Sequence, residues 1–390
     1  MTVTFLGLLF CDESLKDAYK YSKTGVQMAV HTFQKTLIDG LCSMADVDVI
    51  NIPPVGSYPF NYKKIFVKQR SWQKGIEIGY LNLPIIKHKL QIKKIYTILT
   101  KKLDKNNMNY LLVYSLYLPF LEVVQKIKAD GYPVKVCLIQ TDAVPGRNDM
   151  PKYMTEKAVK KGNKVVSLAK ECDSFVILTK YIAEPLEIGE RPYIVIECIC
   201  DDNQQINKIK DKSENICLYT GTLEKDFGIC DMVDAFKNIP AAQLWICGAG
   251  NSEEYIRNAC AKYENIKFYG YVDRQKVSKL RDECDFLINP RRPTDNYTLY
   301  SFPSKTAEYL MSGKPVIMYK LQGIPDDYDT YINYISAKTP EEMGKELESI
   351  FNLNYENLKS VAQNGREFIS KNKNKNICAS KILELMKNSD

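Results

Sequence analysis

Apolar residues fall into short runs alternating with stretches of helical period, and the alternation continues along most of the chain. In the first half the runs predict strands over 2–10, 46–52, 76–81, 110–115, 134–140, 174–178 and 193–197, with helices between them. A helix from about 26 to 42 carries Val30, Phe33, Leu37 and Leu41 on one stripe, and a second spans 119–130. Over 90–103, Ile92, Ile95, Tyr96, Leu99 and Leu103 mark a third. Residues 201–215 are polar with few apolar anchors and read as a linker. Strands are then predicted over 216–220, 243–247, 266–272, 285–289 and 315–319, and helices over 229–238, 252–263, 274–283 and 303–312. A helix over 340–351 precedes the C-terminal helices, with a polar turn at 371–376. Apolar strands separated by helices belong to a mostly parallel sheet covered on both faces, hence the α/β class. At 390 residues the chain exceeds what one core serves, which predicts two domains.

Twelve cysteines are scattered singly without a C-x-x-C pair, and Cys198 and Cys200 are too close for an ordinary zinc half-site. They read as buried thiols in a reducing cytoplasm. The run Thr2–Phe10 lacks a basic leader region and is too short to span a bilayer, so it is expected to be a strand. Between 60 and 105 twelve Lys or Arg face only Glu77 and Asp104, a net +10 against +7 for the whole chain. Phe60, Tyr62, Phe66 and Trp72 are interleaved with these cations. An aromatic-basic segment beside a basic amphipathic helix suits an anionic bilayer, which would place the protein at the inner face of the cell membrane. Nucleic acid could use the same charges, although none is expected as a partner, and the helix over 90–103 could equally pack on its own sheet with its lysines solvated.

The densest chemistry lies between Ile288 and Ile317. A strand ending at Asn289 delivers Arg291 and Arg292, and a helix starts near Pro303, a residue suited to a first turn. The amides of Ser304 and Lys305 would lack intrahelical partners and face outward at the positive end of the helix dipole, where a phosphate binds. Glu308 lies one turn on, able to accept from neighbouring hydroxyls such as those of a ribose. Gly313 ends the helix. Elsewhere Gly221 permits close backbone approach to a phosphate and Lys225 adds charge, unless it is simply a solvated loop lysine. Gly248-Ala-Gly250 has Glu253 where a dinucleotide fingerprint needs Gly, and reads as a tight turn. Ser22-Lys-Thr-Gly25 leads into the helix from Val26 as a phosphate-facing loop or a plain cap. His31, one of two histidines, reads as structural. Asp142, after the strand at 134–140, is either an acidic cleft residue or a cap for the segment after Pro145.

The stretch Ser301-Phe-Pro-Ser-Lys-x-x-Glu308-Tyr-Leu, followed by Gly313-Lys-Pro-Val-Ile317, resembles the donor-site motif of the retaining glycosyltransferases of family 4, in a variant similar to bacterial enzymes of surface-polysaccharide assembly. Phe302 falls on the motif's Phe and Glu308 on its second Glu. Tyr300 stands where the family has its first Glu, Pro303 where it has Gly, and Thr222 and Phe227 where its first loop often has Arg and Lys.

The resemblance implies a GT-B fold: two Rossmann-like domains with mostly parallel sheets facing a central cleft, an acceptor-side domain at 1–200 and a nucleotide-sugar domain at 201–374, with a helix at 375–390 returning to the first. It implies transfer of a sugar from a nucleoside-diphosphate sugar, a UDP-sugar above all, to a hydroxyl of a lipid-linked or saccharide acceptor, with retention and without a metal or other cofactor. The residues expected to carry catalysis are Asp142, Lys305 and Arg291. Those expected to bind the donor are Gly25, Gly221, Lys225, Val272, Arg292, Ser304 and Glu308, with backbone near Val272 reading the base. Tyr300 leaves open a silent GT-B partner protein, and a GT-B nucleotide-sugar epimerase would use similar phosphate contacts.

Overall fold

The computed structural model describes residues 1–26, 28–148, 154–201, 214–293 and 296–389, so most of the expected linker lies outside the described residues. The chain runs β1 (Thr2–Gly7), α1 (Asp12–Tyr21), α2 (Met28–Cys42), β2 (Asp46–Asn51), β3 (Phe66–Val67), β4 (Arg70–Trp72), β5 (Gly75–Glu77), β6 (Tyr80–Leu81), α3 (Lys87–Lys102), β7 (Asn109–Tyr114), α4 (Leu118–Ala129), β8 (Val134–Gln140), α5 (Glu156–Ala169), β9 (Ser174–Ile177) and β10 (Tyr193–Val195). It continues β11 (Ile216–Thr222), α6 (Ile229–Lys237), β12 (Gln243–Ala249), α7 (Glu253–Cys260), β13 (Ile266–Gly270), α8 (Arg274–Glu283), β14 (Phe286–Asn289), α9 (Ser304–Met311), β15 (Val316–Tyr319), β16 (Asn333–Ile335), α10 (Pro340–Phe351), α11 (Tyr355–Asn372) and α12 (Lys375–Asn388). Two compact units result, one of Met1–Ile199 with Lys373–Asp390, the other of Cys200–Asn372.

In the first unit the strand order is β10-β9-β8-β7-β1-β2-β5-β4, parallel except for the β4–β5 pair. Val3, Phe5, Leu112, Ile139 and Val176 are buried in its sheet, which explains apolar runs without strict alternation. The core is completed by α12, whose Cys378, Ala379, Ile382 and Met386 pack with Leu37 and Leu41 of α2. That approach needs Gly40, since a Cβ there would lie 2.3 Å from the Lys375 carbonyl oxygen. Asn374 starts α12 by accepting from the amides of Asn376 and Ile377, so the polar run at 371–376 is the junction of two helices.

Several boundaries differ from expectation for local reasons. The first strand stops at Gly7, not residue 10, because side chains take over its backbone bonds. Leu8 exchanges two hydrogen bonds with the Gln34 amide (2.8 and 2.7 Å), and Leu9 two with Asn51 (2.9 and 2.8 Å). Residues 76–81 are two strands in different sheets: Gly79 lies so close to Gln69 that a Cβ would meet its nitrogen at 2.5 Å, and β6 beyond it pairs antiparallel with β3. Helix α1 was not anticipated; it buries only Ser14 and Ala18, too little for an apolar stripe. The cysteines are all free, but Cys42 is exposed and Cys200, Cys230 and Cys260 are half-buried, which corrects the expectation of twelve buried thiols.

The second unit is a six-stranded parallel sheet in the order β13-β12-β11-β14-β15-β16. Its first strand is central, and the chain builds outward to β13 before returning to lay β14 on the other side of β11. Phe286–Asn289 and Val316–Tyr319 are buried throughout.

Candidate functional site

Parallel strands that share a direction but diverge in connection leave a crevice at their carboxyl ends where the order reverses. In the second unit that point lies between β11 and β14, which pair only through Cys217 with Phe286 and Leu218 with Leu287. Two loops flank it. After β11, a Cβ on Gly221 would lie 2.9 Å from the Tyr219 hydroxyl, and Lys225 opens a short 3-10 turn whose first amide donates to Asn251 Oδ1 at 2.9 Å. After β14 come Arg291 and Arg292. Gly228, at φ +76°, joins the loops, since a Cβ there would lie 2.4 Å from the Pro290 carbonyl oxygen. The Arg291 guanidinium sits 4.9 Å from the Phe227 ring, so the Phe at this place carries an arginine by cation–π contact. Arg292 Nη2 is 3.2 Å from Asp231 Oδ2, yet among the described residues its buried Nε has no hydrogen-bond partner.

Helix α9 begins at Ser304, with Pro303 outside it as the N-cap residue and not in the first turn. Its first amides carry the helix-terminal positive potential on the carboxyl side of β14. Lys305 Nζ donates to Glu308 Oε2 at 2.7 Å, and Arg281 Nη1 approaches Glu308 Oε1 at 3.7 Å. Glu308 is therefore held by two cations. Cys247 has its thiol pushed up to about 11 by burial, against the opposing pull of Lys276 and Lys305. Burial raises the Tyr219 hydroxyl, with Arg291 opposing. Gly221 and Lys225 thus follow β11, Arg291 and Arg292 follow β14, and Ser304, Lys305 and Glu308 belong to the helix that comes next.

Strand β13 ends at Gly270, φ +69°, so Val272 belongs to the turn before α8, where Asp273 caps the Lys276 amide at 2.8 Å. Tyr300 closes a short 3-10 turn before Phe302, and the buried Phe302 ring packs 5.5 Å from that of Tyr328. Glu253 accepts from the Gly250 amide at 3.2 Å, giving the Gly-Ala-Gly turn a structural explanation.

In the first unit, Gly25 is exposed with nothing near its would-be Cβ, ahead of the helix α2 described over Met28–Cys42. The Phe10 amide donates to Nδ1 of the buried His31 at 3.3 Å. Asp142 is exposed in the loop after β8, and the Gln140 amide donates to its backbone carbonyl at 2.8 Å. The turn after Pro145 is bonded by Asn148, which accepts from the Val144 amide. Among the described residues no group of three or more His, Cys, Asp or Glu is arranged to hold a metal ion.

Sequence reasoning missed Arg281, Asp231 and Tyr309. The first two sit on helices with no motif and matter only as partners of Glu308 and Arg292. Tyr309 stands inside the motif beside Glu308, and a tyrosine in a buried position signals a hydroxyl in need of a partner.

Residues 201–368 match the family described as Glycosyl transferases group 1. Among solved structures the chain is similar to a sucrose-phosphate synthase (tll1590) from Thermosynechococcus elongatus, at 12% identity over 99% of this chain and 98% of that one, TM-score 0.68. It is similar also to an alpha,alpha-trehalose-phosphate synthase (UDP-forming) from Burkholderia xenovorans, at 9% identity over 99% and 100%, TM-score 0.67. A structure of TarM gives 10% identity over 99% and 98%, TM-score 0.66. No curated protein matches. The fold is that of the GT-B glycosyltransferases.

Proposed function

We propose that the protein transfers a sugar from a nucleoside-diphosphate sugar, a UDP-sugar above all, to an acceptor hydroxyl, with retention and without a protein-bound metal, in the synthesis of a polysaccharide or glycoconjugate. The observation that supports this reading is that β11 and β14 part at the strand reversal, that Arg291 and Arg292 follow β14 directly, and that the next helix, α9, opens with Ser304 and Lys305 and no side-chain cap. Breaking the anomeric bond leaves a diphosphate whose charge must be stabilised, and preorganised cations with helix-terminal N–H groups are the most effective means. Lys305, Arg291 and Lys225 would take the diphosphate, with Arg292 adding positive charge beside them, and Glu308 would accept from the ribose. The C1–O bond to the diphosphate breaks, C1 bonds to the acceptor oxygen, and the acceptor proton passes to the departing phosphate on the same face. Asp142 would orient the acceptor or face the developing positive charge, with Gly25 in a loop near the donor and residues near Val272 at the base. In this reading 1–200 with 375–390 serves the acceptor, and 201–374 the donor.

The neighbour described as UDP-forming supports the choice of nucleotide. Tyr300 favours one alternative, a partner protein without transfer, since the position lacks a carboxylate. A thermal-shift panel of nucleoside diphosphates and their sugars decides between them, because a ligand that binds only the folded chain raises its apparent stability. A UDP-dependent rise with release of UDP from a UDP-sugar is expected; a flat panel would remove the donor site altogether, and stabilisation without turnover would favour the silent partner.

A further inference from the structure

The first unit carries an exposed apolar surface that the donor reading does not use. Phe60 is 70% exposed, Phe66 63% and Ile85 84%, and Ile65 and Ile86 also lie open. Asn82 ties their backbones together: its amide donates to the Ile65 carbonyl at 2.7 Å, its carbonyl accepts from Tyr58 at 3.0 Å, and its side chain donates to Gly56 at 2.8 Å. In the β3–β6 ribbon Phe66 lies opposite Leu81, and the strand alternation that buries Val67 turns Phe66 outward. The turn bearing Ile85 and Ile86 follows directly into α3.

Cations surround this patch. Lys63, Lys68, Lys89 and Lys93 are exposed, and among the described residues none of the four makes an ion pair. Other lysines of the basic region are engaged, Lys64 with Asp17, Lys74 with Asp39 and Lys102 with Asp48. Helix α3 itself is not the apolar element, because its stripe of Gln91, Ile95 and Leu99 is buried and packs toward α4.

We propose that the Phe60–Phe66 segment and the Ile85–Ile86 turn insert into the interfacial layer of an anionic bilayer while Lys63, Lys68, Lys89 and Lys93 contact its headgroups. Hydrocarbon side chains rimmed by cations match the acyl boundary beneath an anionic surface. Nucleic acid fits less well, since the isoleucines have no ring face on which a base can stack. A second copy would bring like-charged rims together. The reading is independent of the donor site.

The test is co-sedimentation of the full chain with vesicles of phosphatidylcholine alone or with one third phosphatidylglycerol. Binding to the anionic vesicles only, weakened by 0.5 M salt, is expected. Lys63→Ala with Lys68→Ala should weaken it by about 25-fold, at roughly fivefold per lysine. Phe66→Ser with Ile85→Ser, and separately Phe60→Ser, should release the protein at an unchanged melting temperature. Indifference of the serine variants, absence of sedimentation with anionic vesicles, binding to an RNA oligonucleotide in their place, or a solution dimer abolished by Phe66→Ser would each overturn the proposal. Vesicle binding is read without nucleotide and donor stabilisation without vesicles, so either reading can fail alone.

Discussion

The Tyr309 hydroxyl, buried on α9, accepts the Thr220 N–H at 3.0 Å and lies 3.3 Å from the Thr220 carbonyl oxygen. It stands where β14 has parted from β11, two residues beyond their last pair, and so continues the ladder with a side chain. The end of β11 and helix α9 are thereby locked to each other. Tyr309→Phe leaves a buried N–H unsatisfied, which costs about 1–3 kcal/mol. A lower urea midpoint at unchanged slope, with weaker UDP binding, is the expected outcome; a midpoint equal to wild type would mean water or a shifted backbone serves the amide equally well.

Lys305 and Glu308 are half-exposed and one turn apart, so their pairing contributes about 0–1 kcal/mol to stability. Lys305→Ala and Glu308→Ala should therefore melt close to wild type; Lys305→Ala should lose sugar transfer by about 100-fold or more, the loss typical of removing one group that stabilises developing charge, and Glu308→Ala should lose donor affinity through the missing ribose acceptor. Full transfer in both variants, measured by UDP release, would remove these residues from the donor site.

Gly228 combines a left-handed backbone with the Pro290 contact. Gly228→Ala introduces both strain and a clash, and should destabilise by more than about 1 kcal/mol. Because the same loop places Phe227 beneath Arg291, nucleotide affinity should fall with it. Calorimetric titration with UDP alongside thermal melting separates the effects, and unchanged affinity would show that the loop does not position the arginine.

Glu77 is fully buried and receives Arg70 Nη1 at 3.1 Å, Ser14 Oγ at 2.7 Å and the Cys11 amide at 3.3 Å. Burial raises its carboxyl above the ordinary value, opposed by these partners. A carboxyl raised in the folded state favours folding at acid pH, and that contribution is lost as pH rises through the raised value. Arg70→Met removes a cation that lowers it, so the carboxyl rises further and stability should fall by about 3–5 kcal/mol at neutral pH. The deficit should shrink toward pH 5, where protonation relieves the uncompensated charge, and Glu77→Gln in the same background should recover part of it. A deficit independent of pH between 5 and 8, by urea unfolding, would place the effect in lost packing.

Much of the second unit was legible before its tertiary structure because α9 and its flanks are local. Ser304 to Lys314 bring a helix start, a glycine stop and the following strand within a short stretch, and the helix runs from Ser304 to Met311. The same is true of the parallel strands, whose uninterrupted burial requires apolar runs. Legibility failed where a segment's partners are distant: Gln34 and Asn51 end β1, and Gly79 hands the chain from one sheet to another. Arg281 is 27 residues from Glu308 and no spacing connects them.

The sequence by itself determined the alternation of strand and helix, the α/β class, and the place of Arg291 and Arg292 directly after β14, since periodicity, caps and glycine stops act over a few residues. Only the tertiary structure decided which strands are neighbours, and with them that β11 and β14 part beside α9 and that Tyr309 bridges the gap. It also decided that Glu308 is held by Lys305 and Arg281, and that α3 packs its apolar stripe while Phe60, Phe66 and Ile85 stay open. Strand order and side-chain partnership are settled by contacts between residues far apart in the chain, whose free energy depends on the closed fold and leaves no periodic mark in the sequence.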